Sequence, residues 1–218
     1  MHKKYEAIDL FDKIHPVFYA LADDRQLSPS DVTACMIFRN EIYSDLSRRK
    51  RYEEDQLIKC FSLPDGTLLR ENLNWLKKLE LIGWLNNSDG SFAIDARFVD
   101  FNVFGLPSRL SEKYSNISKY SVGVPAIIFE MLKWGDLSGA NAYRYSRLLR
   151  NCFDTKKIYN KFYEPSELGR ILHARSDVEL KQILEDLRDI GLIEYLWSKK
   201  VSVACSLNRK TRGKWVPN

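Results

Sequence analysis

Three arginines, Arg144, Arg147 and Arg150, recur at spacing three along one stretch of the chain, and long cationic side chains in series are the chemistry of phosphate contact. The same half adds Lys156, Lys157 and Lys161 interleaved with Tyr159, Phe162 and Tyr163, a pair Lys199–Lys200, and a closing run of Arg209, Lys210, Arg212 and Lys214. Elsewhere Arg70 and Asn74 stand four apart, one helical turn, beside Thr67, Lys77 and Lys78. Arginine can read guanine and asparagine adenine through paired hydrogen bonds. Catalytic groupings are not expected. The three histidines, His2, His15 and His173, belong to no HExxH, HxE or Cys-His pattern, and no GxxxxGK[ST] or GxGxxG cradle for a nucleotide occurs. Glu53-Glu54-Asp55 and Asp23-Asp24 read as helix-start or loop acids, and His173 as a helix C-terminal partner. Cys35, Cys60, Cys152 and Cys205 lie far apart without a CxxC pair, so they read as buried thiols. No cofactor, metal or enzymatic activity is expected.

The charge behind those residues is uneven. The 218-residue chain carries a net +5. Residues 1–105 hold 14 basic against 17 acidic groups, and residues 106–218 hold 20 against 12. A positive excess confined to one half points to an anionic partner for that half. With 44% hydrophobic residues and no apolar run of membrane-spanning length, the chain reads as globular and cytoplasmic, without a membrane partner.

The elements that must position these groups show a repeat. Leu69, Leu73, Leu76, Leu79, Leu81, Ile82, Trp84 and Leu85 lie 111 residues before Leu180, Leu184, Leu187, Ile190, Leu192, Ile193, Tyr195 and Leu196. Continued without a gap, the same offset sets Val17, Phe18 and Leu21 on Ile128, Phe129 and Leu132. It also sets Ile37, Phe38 and Ile42 on Leu148, Leu149 and Phe153, and Phe92 and Ile94 on Val203 and Cys205. Two copies of one module are expected, over residues 1–103 and 120–218, joined by a polar connector over 104–119.

Within the first copy, Ser28-Pro29-Ser30-Asp31 reads as the start of a helix over 29–46 with Ala34, Ile37, Phe38 and Ile42 on its apolar face. A short helix over 53–61 ends before Pro64-Asp65-Gly66. A helix capped by Asp65 or Thr67 follows, then a strand over 81–85, a turn over 86–90 and a returning strand over 92–94. In the second copy Arg144, Arg147 and Arg150 are expected to project opposite the stripe of Tyr145, Leu148, Leu149 and Cys152. Pro165 opens the short helix, Ser176 and Glu179 form a capping box, and strands run over 192–196 and 201–205.

This order of helices followed by a hairpin resembles the winged-helix variant of the helix-turn-helix superfamily. The phrases Leu76-Lys-Lys-Leu79-Glu80-Leu81-Ile82 and Leu187-Arg-Asp-Ile190-Gly191-Leu192-Ile193 carry the likeness to the end of its recognition helix, with glycine only in the second copy. The resemblance implies a mainly α fold with small β-hairpins, two tandem winged helices and double-stranded DNA as partner. Base readout would then fall to Thr67, Arg70, Asn74, Lys77 and Lys78, and phosphate contact to the basic groups of the second half. Tandem modules of this size look like plasmid and phage replication initiators or transcription regulators. The helix over 177–189 is acidic, with Asp177, Glu179, Glu185, Asp186 and Asp189 against Lys181 and Arg188, which phosphates would repel. That favours an alternative resemblance, to the kleisin-interacting tandem winged-helix elements of chromosome-maintenance complexes. These dimerise and hold a protein partner, here through Trp134, Trp197 and Trp215.

Overall fold

In the computed structural model, residues 11–44, 49–101, 105–117, 122–125, 127–153 and 161–205 are described. The fold is mainly helical with small antiparallel sheets, and it divides into two compact units. One comprises residues 13–121; the other takes 122–218 together with the chain's first twelve positions.

A short β1 (Phe11–Ile14) straddles the boundary at residue 13, and the first unit then runs α1 (Val17–Asp23), α2 (Pro29–Ser44), β2 (Arg49–Tyr52), α3 (Glu54–Phe61), α4 (Leu69–Lys78), β3 (Gly83–Asn86), β4 (Phe92–Asp95), a 3-10 turn (Arg97–Asp100) and α5 (Ser108–Tyr114). α2 starts where a serine and an acid three residues on satisfy each other's backbone. Ser28 N–H donates to Asp31 Oδ2 at 2.8 Å, and Asp31 N–H to Ser28 Oγ at 3.1 Å. Val32, Ala34, Cys35, Met36, Phe38 and Ile42 are buried, whereas Ile37 is half-buried. α2 thus sits inside the unit and not along its edge. Glu53 is the N-cap of α3, its N–H donating to Gln56 Oε1. α4 begins without the expected side-chain cap: Asp65 Oδ1 instead accepts from Thr67 N–H in a tight turn two residues before Leu69. Its stripe of Leu69, Leu73, Leu76 and Leu79 is fully buried, as the three-four spacing requires.

The second unit has β5 (Val122–Pro125), α6 (Ile127–Trp134), α7 (Gly139–Phe153), β6 (Lys161–Tyr163), α8 (Pro165–Leu172), α9 (Asp177–Asp189), β7 (Ile193–Trp197) and β8 (Val201–Cys205). α9 is capped by Ser176 Oγ accepting from Glu179 N–H. The return bond of Glu179 goes to Arg175 N–H, one residue earlier than a capping box places it.

Each unit holds one three-stranded antiparallel sheet, in the orders β2-β4-β3 and β6-β8-β7. The outer strands β2 and β6 are not among the elements that the sequence predicts. They form because Tyr52 and Tyr163 turn inward and are buried while their neighbours alternate outward. The connector also differs from expectation. α5 lies within it, with Leu110 and Tyr114 buried and the Tyr114 hydroxyl donating to Asp24 at 2.8 Å.

Equivalent bonds show that the offset of 111 does not hold throughout. Around α2 and α7 it is 110. Asp31 N–H bonds to Ser28 Oγ as Asn141 N–H bonds to Ser138 Oγ, and Leu27 N–H reaches Leu21 as Leu137 N–H reaches Met131. From β2 to β3 it is 111. Lys50 lies over the Tyr52 ring as Lys161 lies over Tyr163, and Ser62 matches His173, both at helix ends with positive φ. In the returning strands it is 109. Ile94 pairs with Lys50 and Trp84, and Val203 with Lys161 and Tyr195. The changes fall in connections, where insertions leave the packed elements intact.

Candidate nucleic-acid interface

In the first unit, α4 turns its leucine stripe inward, so Thr67, Arg70, Asn74, Lys77 and Lys78 are all exposed. Arg70 and Asn74 share the outward face one turn apart. Two contacts hold the helix. The indole Nε1–H of Trp75 donates to the Gln26 carbonyl, and Arg109 Nη1 of α5 donates to the Lys78 carbonyl at 3.4 Å. The second of these sets a third cation beside Lys77 and Lys78 at the helix C-terminus, where positive charge meets the negative end of the helix dipole. Lys78 also lies over the Trp75 ring, 5.3 Å from its centroid. Acids border the same segment: Thr67 holds Asp65 below the usual carboxylate range by donating hydrogen bonds to it, and Glu71 and Glu80 are exposed. The β3–β4 turn is closed by Asp89, which accepts from Ser91 N–H and pairs with Arg51. Arg49 and Arg51, both outward on β2, are exposed cations outside the residues expected at the site.

The arginine series of the second unit is a different matter. α7 is buried on nearly every side, so Arg144, Arg147 and Arg150 do not form a projecting face. Steps of three residues turn 300° around a helix, spreading the series over about 120°, too wide to avoid the packed surface. Arg147 is 9% exposed, with Nη1 donating to the Tyr143 hydroxyl at 3.1 Å and its guanidinium 5.9 Å from that ring's centroid. The hydroxyl also meets His173 Nε2 at 3.2 Å, so His173 is joined to a side-chain chain as well as ending α8. The Arg144 side chain is 18% exposed. Its Nε donates to the Leu172 carbonyl, Nη1 to Asn141 Oδ1, and Nη2 lies 3.6 Å from Glu179 Oε1. Burial lowers its pKa, against the opposing pull of Glu179 and Asp186. Arg150 is half-buried. At the spacing of 110, the positions corresponding to the three in the first unit are Ala34, Ile37 and Asn40, none of them cationic.

The remaining cations disperse. Lys161 Nζ donates to the Asn151 carbonyl at 3.2 Å. At the β7–β8 turn Lys199 is exposed, and Lys200 pairs with Glu164 at 2.9 Å. Lys156, Lys157, Arg209, Lys210, Arg212 and Lys214 lie outside the described residues, as do Trp215 and the side chain of Trp134. On α9 the two cations face aromatic rings: Lys181 lies 4.9 Å from the centroid of Trp197, and Arg188 5.7 Å from that of Tyr195. Arg188 also pairs with Asp189 at 2.9 Å, and Asp177, Glu185 and Asp189 are all exposed. Among the described residues, no three His, Cys, Asp or Glu side chains gather as metal ligands, and no helix is long and apolar enough to cross a membrane.

Compared with models of protein families, with curated proteins and with solved structures, the chain matches none.

Proposed function

We propose that the chain is a non-enzymatic tandem winged-helix protein that binds double-stranded DNA, with α4 of the first unit as the reading helix. The observation that carries this is the outward row on α4, Arg70 and Asn74 followed by Lys77 and Lys78, on a helix followed directly by a hairpin. A helix entering the major groove presents such residues to base edges, and an adjacent hairpin reaches the flanking backbone. Support for the tandem reading comes from the succession helix, strand, helix, helix, hairpin in both units and from sheets of the same strand order. Phosphate contact is assigned to Lys77, Lys78 and Arg109, to Lys199 at the second hairpin, and to the basic residues beyond Cys205. Arg144 and Arg147 become supports of the second unit, because their donors are already engaged.

A second reading, that of a scaffold subunit holding a protein partner, draws on the acidic outer surface of α9. The two readings separate in a polarisation titration on a random duplex at rising salt. DNA binding predicts affinity at low salt that falls as salt rises, and a loss of at least about tenfold in the Arg70→Ala/Lys77→Ala double variant. No binding at low salt, or an affinity indifferent to that double change, rejects the DNA reading.

A further inference from the structure

We infer that the outer face of the second sheet is a self-complementary docking surface for a second copy of this chain. Register sets the residues of that face in three rows across β6, β8 and β7. The middle row is Phe162, Ser202 and Leu196, directly paired across the three strands. On the hairpin-tip side lie Glu164, Lys200 and Ser198, continuing the same alternation; on the other side lie Ala204 and Glu194. Phe162 is 66% exposed and Leu196 74%, while Ser202 between them is only 7% exposed. The opposite face carries Tyr163, Val201, Val203 and Ile193 into the core, so the exposed pair is not a lapse in patterning but a second apolar surface.

The corresponding row of the first sheet differs at one position. It is Arg51, Ala93 and Leu85, with Leu85 60% exposed like Leu196, but an arginine paired with Asp89 stands where the second sheet has phenylalanine. A repeated fold needs no phenylalanine there.

The charges on this face identify the occupant. A two-fold axis lying along the middle row places Phe162, Ser202 and Leu196 against the same three residues of the second copy and reverses the strands. Each Ala204–Glu194 row then covers the other copy's Glu164–Lys200–Ser198 row. Every Glu194 arrives above Ser198 and beside Lys200, extending the Glu164–Lys200 pair into a three-charge chain. Isologous contacts of this kind bring one surface onto itself, and closure at two copies follows from the axis. Two apolar side chains and a charged rim cover well under the ~800 Å² per partner of a standard interface, so the association is a weak one.

Sedimentation of the full chain without DNA, from about 5 to 300 µM, tests this separately from the DNA reading, since no duplex is present. Wild type passes from monomer to dimer across that range. Phe162→Ser and Leu196→Ser, both exposed and therefore expected to keep the wild-type far-UV spectrum, each weaken the dimer by at least about tenfold. Glu194→Lys and Lys200→Glu each weaken it about threefold, and the triple exchange Glu164→Lys/Glu194→Lys/Lys200→Glu recovers most of the loss. A wild-type chain that stays monomeric at every concentration overturns the inference and leaves the face to a different protein. A dimer indifferent to Phe162→Ser and Leu196→Ser overturns it as well.

Discussion

A buried arginine and an exposed one look alike in a list of charges, yet they answer different experiments. Arg147 donates to Tyr143 within α7, so Arg147→Ala removes a support, not a phosphate ligand. The expected result is a loss of about 1–3 kcal/mol in urea-unfolding stability, with DNA affinity of the folded protein unchanged in polarisation titrations. The spacing of the arginines was legible in the sequence; their burial was not, because that depends on how many neighbours enclose α7. The one local cue was Tyr143, four residues before Arg147 and able to lie beneath it. His15 offers a second test. Its Nδ1 accepts from Val17 N–H at the start of α1, which requires an unprotonated nitrogen, and burial lowers its pKa. The folded state therefore binds a proton less readily than the unfolded chain does. The resulting stability is present above the unfolded value of about 6.5 and is lost as pH falls below it towards the folded value. Thermal unfolding at pH 7.5 and pH 5.5 checks this: wild type loses more midpoint temperature than His15→Gln, which has no titrating ring.

At the scale of the element, most helices were written in spacing. The leucines of α4 and α9 recur at three and four, and their burial follows from that period. The outer strands β2 and β6 escaped because four or three residues give almost no period and their outward positions are basic or aromatic. Only the inward Tyr52 and Tyr163 mark them, and a single tyrosine is ambiguous until the sheet partner is known. α5 escaped for a similar reason: Leu110 and Tyr114 alone, in a serine-rich stretch, carry its buried face. The turn after α4 shows the reverse, with geometry kept despite a departure in sequence. Glu80 holds φ 60°, in the left-handed region, at the position where Gly191 holds φ 76°. A side chain there is strained, and glycine is not. Glu80→Gly should raise the stability of the first unit by about 0.5–1 kcal/mol, and Gly191→Ala should lower that of the second by about 1 kcal/mol, both read from urea midpoints.

Over the whole molecule, net charge does not tell which cations reach solvent. The +8 of residues 106–218 suggested the second half, yet Arg144 and Arg147 there are enclosed and α9 is acidic outside. The first half is net negative but displays Arg70, Asn74, Lys77 and Lys78 in one exposed row. Charge sums count groups without asking which are spent inside. If the row on α4 is the contact, the slope of log affinity against log salt should fall by about 0.9 for each of Lys77→Ala and Lys78→Ala, and stay unchanged for Arg144→Met. The like strand order of the two sheets was legible where packing is dense and lost where hairpin and connection lengths differ.

The enclosure of Arg144 bears on the order in which the second unit assembles. A guanidinium cannot shed its charge on burial. The Leu172 carbonyl at the end of α8 and Glu179 in the first turn of α9 receive the charge that α7 carries inward. The helix thus leans on two that follow it in the chain, so a chain cut before α9 is expected to show weaker amide-exchange protection of α7 than the full chain.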